Sequence, residues 1–129
     1  METAVSDPLW KDQPDDHDYP AAHSYLSLLA SDQDVTGIVT SLKSAQLSTY
    51  KAKDILRSSG LKVLPTDNPH VAADLAKVKA GKKLSPVLLI RGDMFTGLHS
   101  TIADGYHRVC ASFHLDENAD IPCHIVPLH

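Results

Sequence analysis

The sequence predicts an α/β (α+β) domain, a small mixed sheet preceded by an N-terminal helical segment. Three observations carry this. Apolar residues recur at helical spacing through residues 20–60, whereas strand-like and helix-like runs alternate beyond residue 60. Within that second half, Pro86-Val-Leu-Leu-Ile-Arg91 is almost continuously apolar, as suits a strand buried on both faces. A chain of 129 residues with 43% hydrophobic content supports one core.

Residues 1–19 read as an extended acidic arm, with Pro8, Pro14 and several Asp residues, in which Trp10 is the one large group suited to pinning the segment onto the body. Residues 20–60 read as a helical subdomain that forms one compact unit with residues 61–129. Its first helix would open at Pro20 and run to about Ala30, with Ala21, Tyr25, Leu28 and Leu29 inward. A second carries Val35, Ile38, Val39 and Leu42 inward. A third would be capped by Ser48, bury Ala52, Ile55 and Leu56, and stop at Gly60. Residues 61–129 form the third region. Leu61 to Pro65 reads as a short strand, and a helix from about His70 to Ala80 turns Val71, Leu75 and Val78 inward. The Pro86–Arg91 strand comes next, then a turn containing Gly97, a strand from His99 to Ala103, a helix to about Leu115 and a last strand from Ile121.

The net charge is −4, and Glu2, Asp7, Asp12, Asp15, Asp16 and Asp18 against Lys11 place the acidic surplus in the first twenty residues. A near-neutral body argues against a duplex-DNA partner, which would favour a basic face. Cys110 and Cys123 stand outside any CxxC pair, and no apolar run of membrane-spanning length occurs. Two buried, reduced thiols in a cytoplasmic protein are expected. The eight histidines show no HxH or HxxxH spacing, so no metal site is expected.

The most informative stretch is Ile102-Ala-Asp-Gly-Tyr-His-Arg-Val-Cys-Ala111. It leads from a strand through Asp104-Gly105 into a helix headed by His107 and Arg108. A helix start carries about half a positive charge, which disfavours cations there by ~0.3–1 kcal/mol. Together with the unpaired first-turn amides, His107 and Arg108 would form an anion site. The plainer alternative keeps Asp104 as N-cap and Arg108 solvated. On the anion reading, Arg108→Ala should cost the free protein little and ligand affinity much. His70 at a helix start and the Lys82-Lys83 pair are further candidate anion contacts. Asp104 also stands as a Mg²⁺ contact or general base; Asp67, Asp93 and Glu117 are other candidate bases.

The order Asn68-Pro69, helix, Lys-Leu-Ser-Pro, apolar strand, hairpin and Ile-Ala-Asp-Gly-Tyr-His-Arg resembles the ParB/sulfiredoxin-like superfamily over roughly residues 61–126. Asp104-Gly105-Tyr106-His107-Arg108 is similar to the Gly-x-His-Arg loop of sulfiredoxins and the Asp-Gly-His-His-Arg loop of free-serine kinases. The resemblance implies that Gly105, Tyr106, His107 and Arg108 hold nucleotide phosphates, with His70 near the pocket. Lys83 joins them as a candidate contact, Asp104 and His107 as the catalytic candidates, and ATP or ADP, with Mg²⁺ as companion, as the expected cofactor. Two departures narrow this. Sulfiredoxins carry their catalytic Cys where this chain has Tyr106, so sulfiredoxin chemistry is not expected, and the chain ends at His129 without the DNA-reading module of partitioning ParB proteins.

Two functions therefore stand open. One is a nucleotide-dependent phosphotransferase or hydrolase, a kinase or NTPase. The other is a non-catalytic regulatory or antitoxin-like module whose helical front end docks a protein partner. That hydrophobic front end also permits a homodimer.

Overall fold

The computed structural model describes residues 9–128. Five helices and four strands occur in the order α1 (Asp18–Leu26), α2 (Asp32–Ser44), β1 (Leu47–Lys51), α3 (Ala52–Ser59), α4 (Pro69–Lys79), β2 (Val87–Ile90), β3 (Thr101–Asp104), α5 (Tyr106–Leu115) and β4 (Asp120–Val126). The mixed sheet has the order β1-β4-β2-β3, with β2 parallel to β4 and the other two pairs antiparallel.

All four residues of β2 are buried, as the apolar run predicts. The reason is that both faces are covered. Val87 and Leu89 join Ile102, Val109, Ile121 and the apolar residues of α3 and α4 in one core. Leu88 and Ile90 join Ala103, Val126 and the inward residues of α1 and α2 in another. Helices α3, α4 and α5 thus cover one face of the sheet, and α1 with α2 the other.

Residues 20–60 consequently lie on both faces and include an edge strand. Ser48 lies in β1, paired with Cys123, and caps nothing. Helix α3 starts at Ala52 behind an N-cap, Lys51, that makes no side-chain cap. Its first amides are instead satisfied by Ala119 O at 3.0 Å and Glu117 O at 3.0 Å. A tertiary contact has replaced the local cap that the sequence pattern suggested. Gly60 ends α3 in the left-handed conformation, as expected.

Two further expectations fail. Helix α1 begins at Asp18 and buries Asp18, Ala22 and Leu26, whereas Ala21, Tyr25, Leu28 and Leu29 face outward. Residues 61–65 form no strand, because their backbone groups are taken by α5: Leu64 N–H meets Cys110 Sγ at 3.4 Å, His114 donates to Leu64 O at 2.7 Å and Tyr106 Oη to Lys62 O at 2.5 Å. The arm behaves as expected where it is described. Trp10 is buried and bridges in parallel to Leu84, while residues 1–8 lie outside the described residues.

Candidate functional site

The Asp104–Arg108 motif occupies the end of β3 and the start of α5. Gly105 is the N-cap at φ 109°, and a Cβ there would stand 2.9 Å from Val87 Cγ2, so both backbone and space require glycine. No side chain caps α5. Asp104 is therefore no N-cap, contrary to the plainer expectation. It closes β3, and its Oδ2 accepts from Arg108 Nη2 at 2.9 Å.

Arg108 differs most from expectation. Its side chain is only 16% exposed, and Nη2 also donates to Pro86 O at 3.2 Å and lies 3.8 Å from Asp18 Oδ2. Asp18 is buried, and its Oδ2 further accepts from Ser85 Oγ at 2.6 Å and from the Asp15 amide at 3.1 Å. One guanidinium thus lies between two carboxylates, and Arg108→Ala cannot be nearly neutral for the free protein. Burial holds the Asp104 carboxyl above its ordinary range; Arg108 opposes this and the nearby Asp18 adds to it. Arg108 Nε is buried and has no hydrogen-bond partner.

Arg108 forms one side of a polar cleft of about 400 Å³. Lys77 and Asp74 of α4, Lys82, Lys83 and Ser85 before β2, and Lys11, Asp15 and His17 of the arm line the rest. The arm, read from sequence as an anchor, thus contributes a wall. Of the predicted site residues, Arg108, Lys82 and Lys83 meet in this cleft, whereas Asp104, Gly105, Tyr106, His107 and His70 lie outside its lining. His107 and His70 pair instead with each other, with ring centroids 4.6 Å apart. Burial lowers the His107 pKa, helped by His70 and Arg108 and opposed by Asp74.

Asp74 is the residue that sequence reasoning missed. It is buried, lines the cleft and stands 3.9 Å from Lys77 Nζ. Burial raises its pKa; Lys77, Arg108, His107 and His70 pull the other way. The signal was present, since position 74 falls on the inward stripe of Val71, Leu75 and Val78, where a carboxylate needs a reason. Asp67, Asp93 and Glu117 do not line the cleft.

Asp15, His17 and Asp18 place one ligand atom each within 4.8 Å of one another. Lys11 Nζ already sits 2.6 Å from Asp15 Oδ1, and Arg108 beside Asp18, so two cations compete with a metal there. Cys110 and Cys123 are free and buried; burial pushes both thiols up, Cys123 to about 12. Among the described residues no helix is long and apolar enough to cross a membrane. Comparison of the chain with protein-family models, with characterised proteins and with solved structures finds no match.

Proposed function

We propose that the chain binds a nucleotide or another phosphorylated small molecule in the cleft between the arm, α4, the Lys82–Ser85 segment and α5. The observation that carries this reading is the convergence of Lys11, Lys77, Lys82, Lys83 and Arg108 on one concavity against two lining carboxylates, Asp15 and Asp74. Such a surplus of donors with positive charge suits phosphate oxygens. The similarity of Asp104–Arg108 to the phosphate-holding loop of ParB/sulfiredoxin-like proteins supports a nucleotide, ATP or ADP, as the phosphate's carrier. Lys82, Lys83 and Lys77 would hold its phosphates, and an accompanying Mg²⁺ would travel on the phosphates themselves, since Lys11 already occupies the Asp15 carboxylate. Two reduced thiols are consistent with a cytoplasmic setting.

A second reading, phosphoryl transfer or hydrolysis, is favoured by Asp74. A buried carboxyl with a raised pKa at the wall of a cationic cleft suits general acid–base work, with His107 in its field. Asp104 is committed to Arg108, so this reading assigns the proton-handling role to Asp74 and leaves Asp104 to position the arginine.

The test is a thermal-shift screen of ATP, ADP, CTP, GTP and AMP, with and without Mg²⁺, followed by calorimetry. A nucleotide at a hundredfold excess over its Kd should stabilise the fold by about 2.7 kcal/mol. If none shifts the melting temperature, and inorganic phosphate and pyrophosphate also fail, the proposal is wrong.

A further inference from the structure

A second concavity, of about 450 Å³, opens between the end of α1, α2 and the β2–β3 side of the sheet. Its chemistry is the reverse of the cleft's. Leu26, Ile38, Leu61 and Leu98 form its sides, and it reaches down to Ile90 and Ile102, which are 4% and 7% exposed. A hollow that reaches core residues of the sheet is a pocket for a small body, and its volume falls within the ~300–1,000 Å³ of small-molecule sites. Among the described residues no carboxylate lines it.

Its polar groups are few. Ser59 Oγ is spent on Leu56 O and Ser100 Oγ on Ser58. His99 is lodged against Gly60, where an added Cβ would stand 2.6 Å from the imidazole. Arg91 is the one lining side chain with a permanent charge; it is exposed and has no ion pair among the described residues. The end of helix α1 and the turn after it add a further sign. Tyr25 and Leu29, half of the apolar stripe that the sequence would turn inward, line this opening, and Leu28 beside them is 81% exposed.

We propose that this cavity binds a small amphipathic carboxylate, with its hydrocarbon body against Leu26, Ile38 and Ile102 and its carboxylate on Arg91. An apolar ligand alone would leave the guanidinium idle, and a hydrophilic anion would leave the walls wet. A molecule with both parts covers the apolar walls and engages the exposed guanidinium beside them.

The experiment uses decanoate as probe and decanol as its neutral counterpart, monitored by calorimetry and by the methyl NMR signals of Ile38 and Ile102. Decanoate binds with one-to-one stoichiometry, shifts those methyls and outcompetes decanol. Arg91→Gln lowers decanoate affinity by about tenfold or more and leaves decanol affinity unchanged. Ala30→Trp, which fills the cavity, abolishes binding of both; should that variant fail to fold, the exposed Arg91→Gln still decides. Absence of decanoate binding, equal binding of the two probes, or an unaltered affinity in Arg91→Gln overturns the proposal. So does sedimentation showing that this face is covered in a dimer of the free chain.

Discussion

The two concavities are nearly equal in volume, about 400 and 450 Å³, and opposite in chemistry. Helix α1 spans the distance between them. Its first residue, Asp18, fixes Arg108 and Ser85 at the polar cleft, and its last, Leu26, forms a wall of the apolar cavity. Nine residues of helix rise about 13 Å, so one short element is tied by charge at one end and by packing at the other. Volume says nothing about what either concavity takes; the groups that line it and the partners those groups already have decide that. In the cleft the arginine, Lys11 and Lys77 already face carboxylates and Lys82 and Lys83 are the available cations, whereas in the cavity the arginine is the available group.

The sharpest way to break this comparison is Arg108→Ala. Removing the guanidinium leaves the buried Asp18 and the half-buried Asp104 beside each other without their shared cation. Loss of one partner from such a set costs ~3–5 kcal/mol. Urea unfolding should show this as a large fall in midpoint, and Asp104→Asn in the same chain should recover part of it. A free-protein stability within experimental error of wild type would mean that Arg108 is as free as the motif alone suggests.

Lys83→Ala separates the two concavities without touching the core. Lys83 is exposed, so stability should change by no more than about 0.5 kcal/mol. Loss of a charge-assisted contact to phosphate should weaken nucleotide binding by ~1.5–3 kcal/mol, roughly tenfold to more than a hundredfold, while decanoate binding at the cavity stays as it was. Arg91→Gln should do the reverse. If either variant weakened both ligands alike, the two concavities would be one coupled site.

Gly105→Ala acts on the backbone behind the cleft. Alanine would have to adopt φ 109° with its Cβ 2.9 Å from Val87 Cγ2 and from Arg108 Nη2. Strain of this kind costs ~1–3 kcal/mol, and it should also disturb the Arg108 contacts. Calorimetric unfolding measures it, and an unchanged melting temperature would show that the turn can relax.

How much of the molecule was legible in the sequence depends on how local each cause is. The apolar run of β2, the Gly60 stop of α3 and the strand-to-helix turn at Gly105 all have causes within a few residues, and all were readable. Strand β1 was not, since Leu47–Lys51 alternates between exposed and half-buried and becomes a strand only because β4 lies beside it. The start of α3 was misplaced for a similar reason, its amides being capped by carbonyls more than sixty residues away. At the candidate site, Arg108 was legible as a special residue, but its partners were not. Asp104 sits four residues from it, whereas Asp18 comes from a segment read as an acidic arm. Asp74 was legible as a carboxylate on a buried stripe, although nothing in the sequence said that a cationic cleft lay in front of it.

That carboxylate offers the smallest and most diagnostic test. The folded-state pKa of Asp74 is raised above its ordinary 3.8, mainly by burial. A raised carboxyl contributes stability that is fully present below its unfolded-state value and is lost as pH rises through the folded-state value. At neutral pH the wild-type protein therefore carries a buried charge whose cost Lys77 and Arg108 only partly offset. Asp74→Asn removes that charge, so the variant should be more stable than wild type at neutral pH, and the difference should vanish as pH falls below the ordinary carboxyl value of 3.8. His107 runs the other way. Its pKa is lowered, so its contribution is present above its unfolded-state value of 6.5 and is lost as pH falls through the folded-state value. Removing Asp74, which raises the His107 pKa, should move that second transition to lower pH. Melting curves from about pH 3 to 8 separate the two effects. A destabilised Asp74→Asn at neutral pH would mean that the pairing with Lys77 outweighs burial, and Asp74 would then be a structural ion-pair partner and no longer a candidate for proton transfer.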